Sequence, residues 1–147
     1  MKKIMLVSSA GGHFSELQKL DVLNDSIVVT EKTKNIDNPS YLYLKYSSRQ
    51  NKFKYPFIFL YNCFLSLKYI LKYKPEIIIS TGAHSCVSFF YLAKLFKIKT
   101  IYIESFAKVY TPSLTYKLIK PVCDYVIVQH EELQQVYQGS LYFKGVY

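Results

Sequence analysis

The chain has 147 residues, half of them hydrophobic and a fifth charged, which excludes the disordered, collagen-like and disulfide-scaffold classes and leaves room for one folded domain. Nineteen basic against ten acidic residues give a formal net charge of +9, so an anionic partner is expected: a phosphate, a nucleic acid or a membrane surface. The charge is concentrated. Residues 38–75 carry Lys45, Arg49, Lys52, Lys54, Lys68, Lys72 and Lys74 and no acid. Cys63, Cys86 and Cys123 are odd in number and lack C-x-x-C spacing; they suggest neither a disulfide framework nor a thiolate zinc site and fit a reducing setting.

In chain order, Ile4-Met5-Leu6-Val7 follows two lysines as in a signal peptide, but Gly11, Gly12 and His13 cut the apolar run short, so no targeting segment is expected. Short β-rich runs predict strands at 3–8, 26–30, 41–44, 76–80, 100–104 and 125–129. Helical periods predict helices at 13–20, 55–73, 84–96, 113–119 and 131–137. Such alternation predicts an α/β domain over 1–147: a Rossmann-like open parallel sheet with helices on both faces.

Three polar turns fall at predicted strand ends, where open α/β sheets bind ligands. The first, Ser8-Ser9-Ala10-Gly11-Gly12-His13, joins a strand to a helix; two glycines admit an oxyanion to the backbone, and His13 enters the same crevice. It is neither G-x-G-x-x-G nor a P-loop, and a plain tight turn explains the local sequence equally well. The second, Ser80-Thr81-Gly82-Ala83-His84-Ser85, opens another helix, and His84 reads first as a capping residue. The third is Glu104-Ser105-Phe106-Ala107-Lys108. An acid ending Thr100-Ile101-Tyr102-Ile103 is suited to bind a sugar hydroxyl or act as its general base; pairing with Lys108 is the structural alternative.

The segment 55–73 is the most hydrophobic, yet its charge-free part is shorter than the roughly 20 residues a membrane span needs. On a helical wheel Phe57, Phe59, Leu60, Cys63, Phe64, Leu67, Ile70 and Leu71 share a face expected to pack on the sheet. Asn62, Ser66, Lys68, Tyr69, Lys72 and Tyr73 lie opposite, with Ile58, Tyr61 and Leu65 on or near that polar side. An aromatic, cationic second face after the basic residues 45–54 suits an interfacial membrane contact, and we assign that contact to Lys45, Arg49, Lys52, Lys54, Phe57, Tyr61, Leu65 and Lys68.

Gly11-Gly12-His13, Ser80-Thr81-Gly82-Ala83, Ile103-Glu104-Ser105-Phe106-Ala107-Lys108, Ser113-Leu114-Thr115 and Val128-Gln129-His130-Glu131-Glu132-Leu133 resemble, in that order, a known family. It comprises the acceptor-binding, membrane-associated subunit of the two-chain N-acetylglucosaminyltransferase of dolichol-linked oligosaccharide assembly, with bacterial relatives in capsule and exopolysaccharide synthesis. The layout is also similar to the N-terminal half of the undecaprenyl-linked glycosyltransferase of peptidoglycan synthesis, a GT-B enzyme. Tyr116 stands where the family usually has Gly, and His130 where a Trp often follows Val-Gln. No N-terminal membrane anchor like that of eukaryotic members is expected, so membrane contact is expected from helix 55–73 and the basic loop before it.

The resemblance implies the N-terminal half of a GT-B cleft. Gly11, Gly12 and His13 would hold the diphosphate of a polyprenyl-diphosphate-linked sugar acceptor, and His13 would assist proton removal. Glu104 would orient or activate the acceptor, while Ser80, Thr81, Gly82, His84 and Ser105 would line the cleft. The UDP-sugar donor would sit on a separate donor-binding subunit, this chain holding no cofactor and no metal, peripherally at the cytoplasmic face of the plasma membrane. A non-catalytic membrane scaffold for a transferase shares every feature except the chemistry of His13 and Glu104. A nucleic-acid partner is not expected: the cations coincide with an apolar helix, a single Arg stands among them, and no nucleic-acid motif appears.

Overall fold

The computed structural model describes residues 3–46 and 53–145; Arg49 and Lys52 lie outside them. Seven parallel strands, β1 (Ile4–Ser8), β2 (Ser26–Glu31), β3 (Leu42–Leu44), β4 (Ile77–Gly82), β5 (Lys99–Ile103), β6 (Tyr125–Val128) and β7 (Leu141–Tyr142), form one sheet in the order β3-β2-β1-β4-β5-β6-β7. The predicted strands are present within one or two residues. Two-residue β7 is too short for alternation to reveal.

Helix α1 (Gly12–Leu17) follows β1 and buries Phe14 and Leu17 against Leu6 and Val28 on one face of the sheet. Helices α2 (Tyr55–Tyr73), α3 (Val87–Leu95), α4 (Leu114–Ile119) and α5 (Glu131–Gln134) succeed β3, β4, β5 and β6. Their Ile70, Phe89, Phe90, Ile119 and Leu133 join Met5, Val7, Ile78, Tyr102 and Val128 in the larger core on the opposite face. The chain thus runs outward from β1 to β3 on one side, then restarts beside β1 with β4. Right-handed crossovers demand that the two directions use opposite faces. Local signals set the helix ends: Pro56 stands in the first turn of α2, Lys74 ends it in the left-handed conformation ahead of Pro75, and the Ser113 hydroxyl accepts the Tyr116 N–H at the start of α4.

Helix α2 corrects the wheel. The buried residues are Asn62, Ser66 and Ile70, with Leu65, Tyr69 and Tyr73 packed beside them. The Asn62 amide brackets Lys45, accepting its N–H (2.9 Å) and donating to its carbonyl (2.8 Å). The Ser66 and Ser88 hydroxyls bond at 2.8 Å between α2 and α3. Each buried polar group is satisfied, so the polar stripe turns inward without the cost of a lone dipole. Phe57 (77% exposed), Leu60 (70%) and Phe64 (65%) consequently face outward with Phe53, Tyr61 and Leu71. Of the residues assigned to membrane contact, Lys45, Lys54, Phe57, Tyr61 and Lys68 are exposed, whereas Leu65 packs on the core. Among the described residues no helix is long and apolar enough to cross a membrane.

Candidate functional site

The turns after β1 and β4 meet where the sheet changes direction, the crevice in which open α/β folds hold ligands. Ser9 N–H donates to the Gly82 carbonyl (2.8 Å), the Ser9 hydroxyl accepts from Ala83 N–H (3.2 Å), and it bonds the Ser85 hydroxyl (2.7 Å). Thr81 brackets His13: its hydroxyl donates to the His13 carbonyl (2.7 Å), and its own carbonyl lies 2.8 Å from Nδ1. A carbonyl only accepts, so Nδ1 is the donor, and in the neutral ring the lone pair is on Nε2. The side chain is 32% exposed, so the ring is partly open to solvent. Gly82 makes the arrangement possible: at φ +104° only glycine is at ease, and a Cβ there would stand 3.1 Å from the His13 ring. Gly11 also has positive φ, and nothing lies within 4 Å of where a Cβ of Gly11 or Gly12 would stand, so this backbone is open to close approach.

Ser80 and Thr81 do not line the crevice surface as expected; both are fully buried, Ser80 accepting the Gly82 N–H at 3.0 Å. His84 is turned toward β2, its Nε2 3.4 Å from a Glu31 oxygen, and the other oxygen accepts the Ala10 N–H at 3.2 Å. This buried Glu31, which sequence reasoning missed, ties the first turn to the second.

Glu104 is the larger correction. It is 0% exposed and both oxygens are engaged. Oε1 accepts the Tyr102 hydroxyl (3.1 Å) and the Ser105 N–H (2.9 Å); Oε2 accepts the Tyr137 hydroxyl and the Ser113 N–H (3.3 Å). Burial first, then the carboxylate, raise the Tyr102 phenol well above the usual tyrosine range; burial and the Glu104 bond raise Tyr137. Both phenols therefore remain donors. A carboxylate so enclosed cannot receive a substrate hydroxyl, and no Lys108 pairing is found for it among the described residues. It anchors the loop between β5 and α4.

The acid facing the crevice is one the motifs did not single out. Glu16 Oε1 accepts the Ser105 hydroxyl (2.9 Å) and the Phe106 N–H (3.1 Å), and Oε2 lies 3.9 Å from His13 Nδ1. Its spacing, three residues beyond His13 on a helix, is the one sequence signal that could have found it. His130 holds the far side of the loop, its Nε2 2.7 Å from the Phe106 carbonyl. A cleft of about 1120 Å³ lies across α1 from His13, lined by Gly11, Phe14, Lys32, Ile36 and Tyr41 among others. His13 does not line it, so the volume alone does not mark the chemistry. Among the described residues no group of three metal-ligating side chains converges.

A seven-stranded parallel sheet whose strand order changes direction between β1 and β4 defines a Rossmann-like α/β domain. The chain belongs to the family described as "Oligosaccharide biosynthesis protein Alg14 like", which matches residues 30–146. It is 27% identical over 173 residues to the human UDP-N-acetylglucosamine transferase subunit ALG14, covering 95% of this chain and 80% of that protein. It is 37% identical over 90 residues to the Candida albicans protein of the same name, covering 57% and 41%. Among solved structures, Acinetobacter baumannii MurG superposes with a TM-score of 0.64 at 19% identity over 86% of this chain and 41% of its own. S. aureus MnaA, solved with UDP, gives 0.72 at 13% over 96% and 43%. These likenesses concern the fold, and the chain spans less than half the length of either solved chain.

Proposed function

We propose that this chain is the acceptor-binding half of a two-chain glycosyltransferase, working with a separate donor-binding chain on a polyprenyl-diphosphate-linked sugar during capsule or exopolysaccharide synthesis. Family membership supports the transferase class, and the Alg14 relatives are named as transferase subunits. The observation that carries the chemistry is His13: its Nδ1–H is fixed on Thr81, which leaves Nε2 as the nitrogen of a partly exposed ring that can take a proton, close in the chain to the open Gly11–Gly12 backbone. In this reading the acceptor hydroxyl attacks the anomeric carbon of a UDP-sugar held by the partner. The hydroxyl proton passes to His13 Nε2, and UDP leaves with the electrons of the broken C–O bond. The diphosphate of the acceptor lies against Gly11 and Gly12. The outward Phe57, Leu60, Tyr61 and Phe64 of α2, flanked by Lys45, Lys54 and Lys68, are suited to rest on the cytoplasmic face of an anionic membrane, presenting the crevice to a lipid-borne acceptor.

The test is His13→Ala in the assembled two-chain complex. Turnover is expected to fall about 100- to 10,000-fold, the worth of general acid–base assistance, with fold and partner binding retained. Full turnover by the variant would return the chain to a scaffold role, and robust turnover by the single purified chain would overturn the division between two polypeptides.

A further inference from the structure

Glu16 occupies an unusual position for a carboxylate on a short helix. Its Oε1 takes two hydrogen bonds from the loop after β5, at Ser105 Oγ and Phe106 N. Its Oε2 is buried, accepts no hydrogen bond, and lies 3.9 Å from His13 Nδ1. A carboxamide oxygen would serve the two loop donors equally well. A buried carboxylate oxygen without a hydrogen bond is costly unless its charge is used. Among the described residues, the group beside it that gains from that charge in the proposed reaction is the His13 ring, which becomes cationic on accepting a proton at Nε2, and an opposite charge within about 4–6 Å favours the charged form. Glu104 cannot do this because four donors already saturate it, and Glu31 is directed to His84 and the Ala10 N–H instead.

We propose that Glu16 is a positioning residue for the transfer reaction. One oxygen clamps the Ser105–Phe106 loop onto α1, and the other balances the imidazolium that forms on His13. The proposal rests on the reading of His13 as proton acceptor given above. It separates two jobs that one side chain performs: the clamp needs only an acceptor atom, and the balance needs a charge.

The experiment uses the full chain co-assembled with its donor-binding partner, UDP-GlcNAc and a short-chain polyprenyl-diphosphate sugar, comparing E16Q, E16A, H13A and H13A/E16Q after their thermal melts show that each is folded. E16Q, which keeps the clamp and loses the charge, is expected to leave KM for the acceptor within about twofold. Its kcat should fall about 100-fold, the low end of acid–base assistance. E16A should lower kcat similarly and raise the acceptor KM as well, because the loop is released. In the double variant, E16Q should add nothing to H13A, since a residue acting through His13 has no effect once the imidazole is gone. An E16Q enzyme with wild-type kcat beside an impaired H13A would overturn the role of Glu16 and leave His13 as the base. An additive defect in the double variant would show that Glu16 acts elsewhere. A fully active H13A would overturn the underlying reading, and the role of Glu16 with it.

Discussion

Replacing Glu104 by Ala is expected to unfold the protein more readily before it affects any reaction. The carboxylate holds the Tyr102 hydroxyl at 3.1 Å, the Ser105 N–H at 2.9 Å, the Ser113 N–H at 3.3 Å and the Tyr137 hydroxyl. Some donors have a second partner: Tyr102 reaches the Ser113 hydroxyl at 3.1 Å, and Ser113 N–H reaches the Tyr137 oxygen at 3.1 Å. Ser105 is near enough to the surface to find water. The Tyr137 hydroxyl loses its acceptor outright. A hydrogen bond to a charged group contributes about 1.5–3 kcal/mol, and a buried donor left without a partner costs about 1–3 kcal/mol. We therefore expect Glu104→Ala to lose about 3–5 kcal/mol and Glu104→Gln, which keeps one oxygen, about 1–3 kcal/mol. Urea unfolding followed by circular dichroism measures both. Tyr137→Phe in the Ala background should cost less than it does alone, a coupling of about 0.5–3 kcal/mol. A Glu104→Ala protein within about 0.5 kcal/mol of wild type, yet inactive with its partner, would refute this reasoning and return Glu104 to direct contact with the acceptor.

Gly82→Ala forces a Cβ to within 3.1 Å of the His13 ring at φ +104°; it should cost about 1–2 kcal/mol and displace the imidazole, visible as a shift of the His13 ring-nitrogen NMR signals. Ser66→Leu should destabilise by about 1–3 kcal/mol through overpacking against Ser88. Phe57→Ser, Leu60→Ser and Phe64→Ser together should leave the urea midpoint nearly unchanged and abolish flotation with anionic vesicles; a collapse of stability instead would mean that this face is core. At high pH the fold should weaken: burial pushes the Cys86 thiol up to about 12 from an ordinary 9.0 and raises Tyr102 and Tyr137. Groups raised in the folded state hold protons that the unfolded chain releases first, so their stabilisation is full below about pH 9 and is lost as pH climbs toward 12. Urea midpoints at pH 8, 10 and 11 should fall in that order, and a constant midpoint would contradict it.

The sheet was legible because each strand is a short run of Val, Ile, Leu and Tyr bounded by turn residues, and that pattern depends on neighbours along the chain. The direction of α2 was not. Apolar side chains surround most of that helix, and its inward face is chosen by Asn62 finding Lys45 and Ser66 finding Ser88, partners that no local window contains. Glu104 stood out as an acid ending an apolar strand, and the oddity was real; what it meant depended on Tyr137, 33 residues away. Glu16 and Glu31 were hidden for the opposite reason. An acid on a short helix, or one that like Glu31 adjoins the polar run Lys32-Thr33-Lys34-Asn35, resembles ordinary solvated surface until the fold places a histidine beside it.

The bonds that assemble the crevice span long stretches of sequence: 68 residues from His13 to Thr81, 89 from Glu16 to Ser105, and 33 from Glu104 to Tyr137. During synthesis, the first turn leaves the ribosome long before anything exists to orient its imidazole. The loop that Glu16 holds cannot be anchored until Tyr137 has been made, near the end of the chain. Parallel pairing adds to the delay, since closing distant contacts costs entropy before it is repaid and slows folding. A nascent fragment ending before residue 137 would therefore carry every glycine and histidine of the first two turns and still lack the Tyr137 bond that holds Glu104 and the loop after β5, so the crevice needs nearly the whole chain before its parts can lock together.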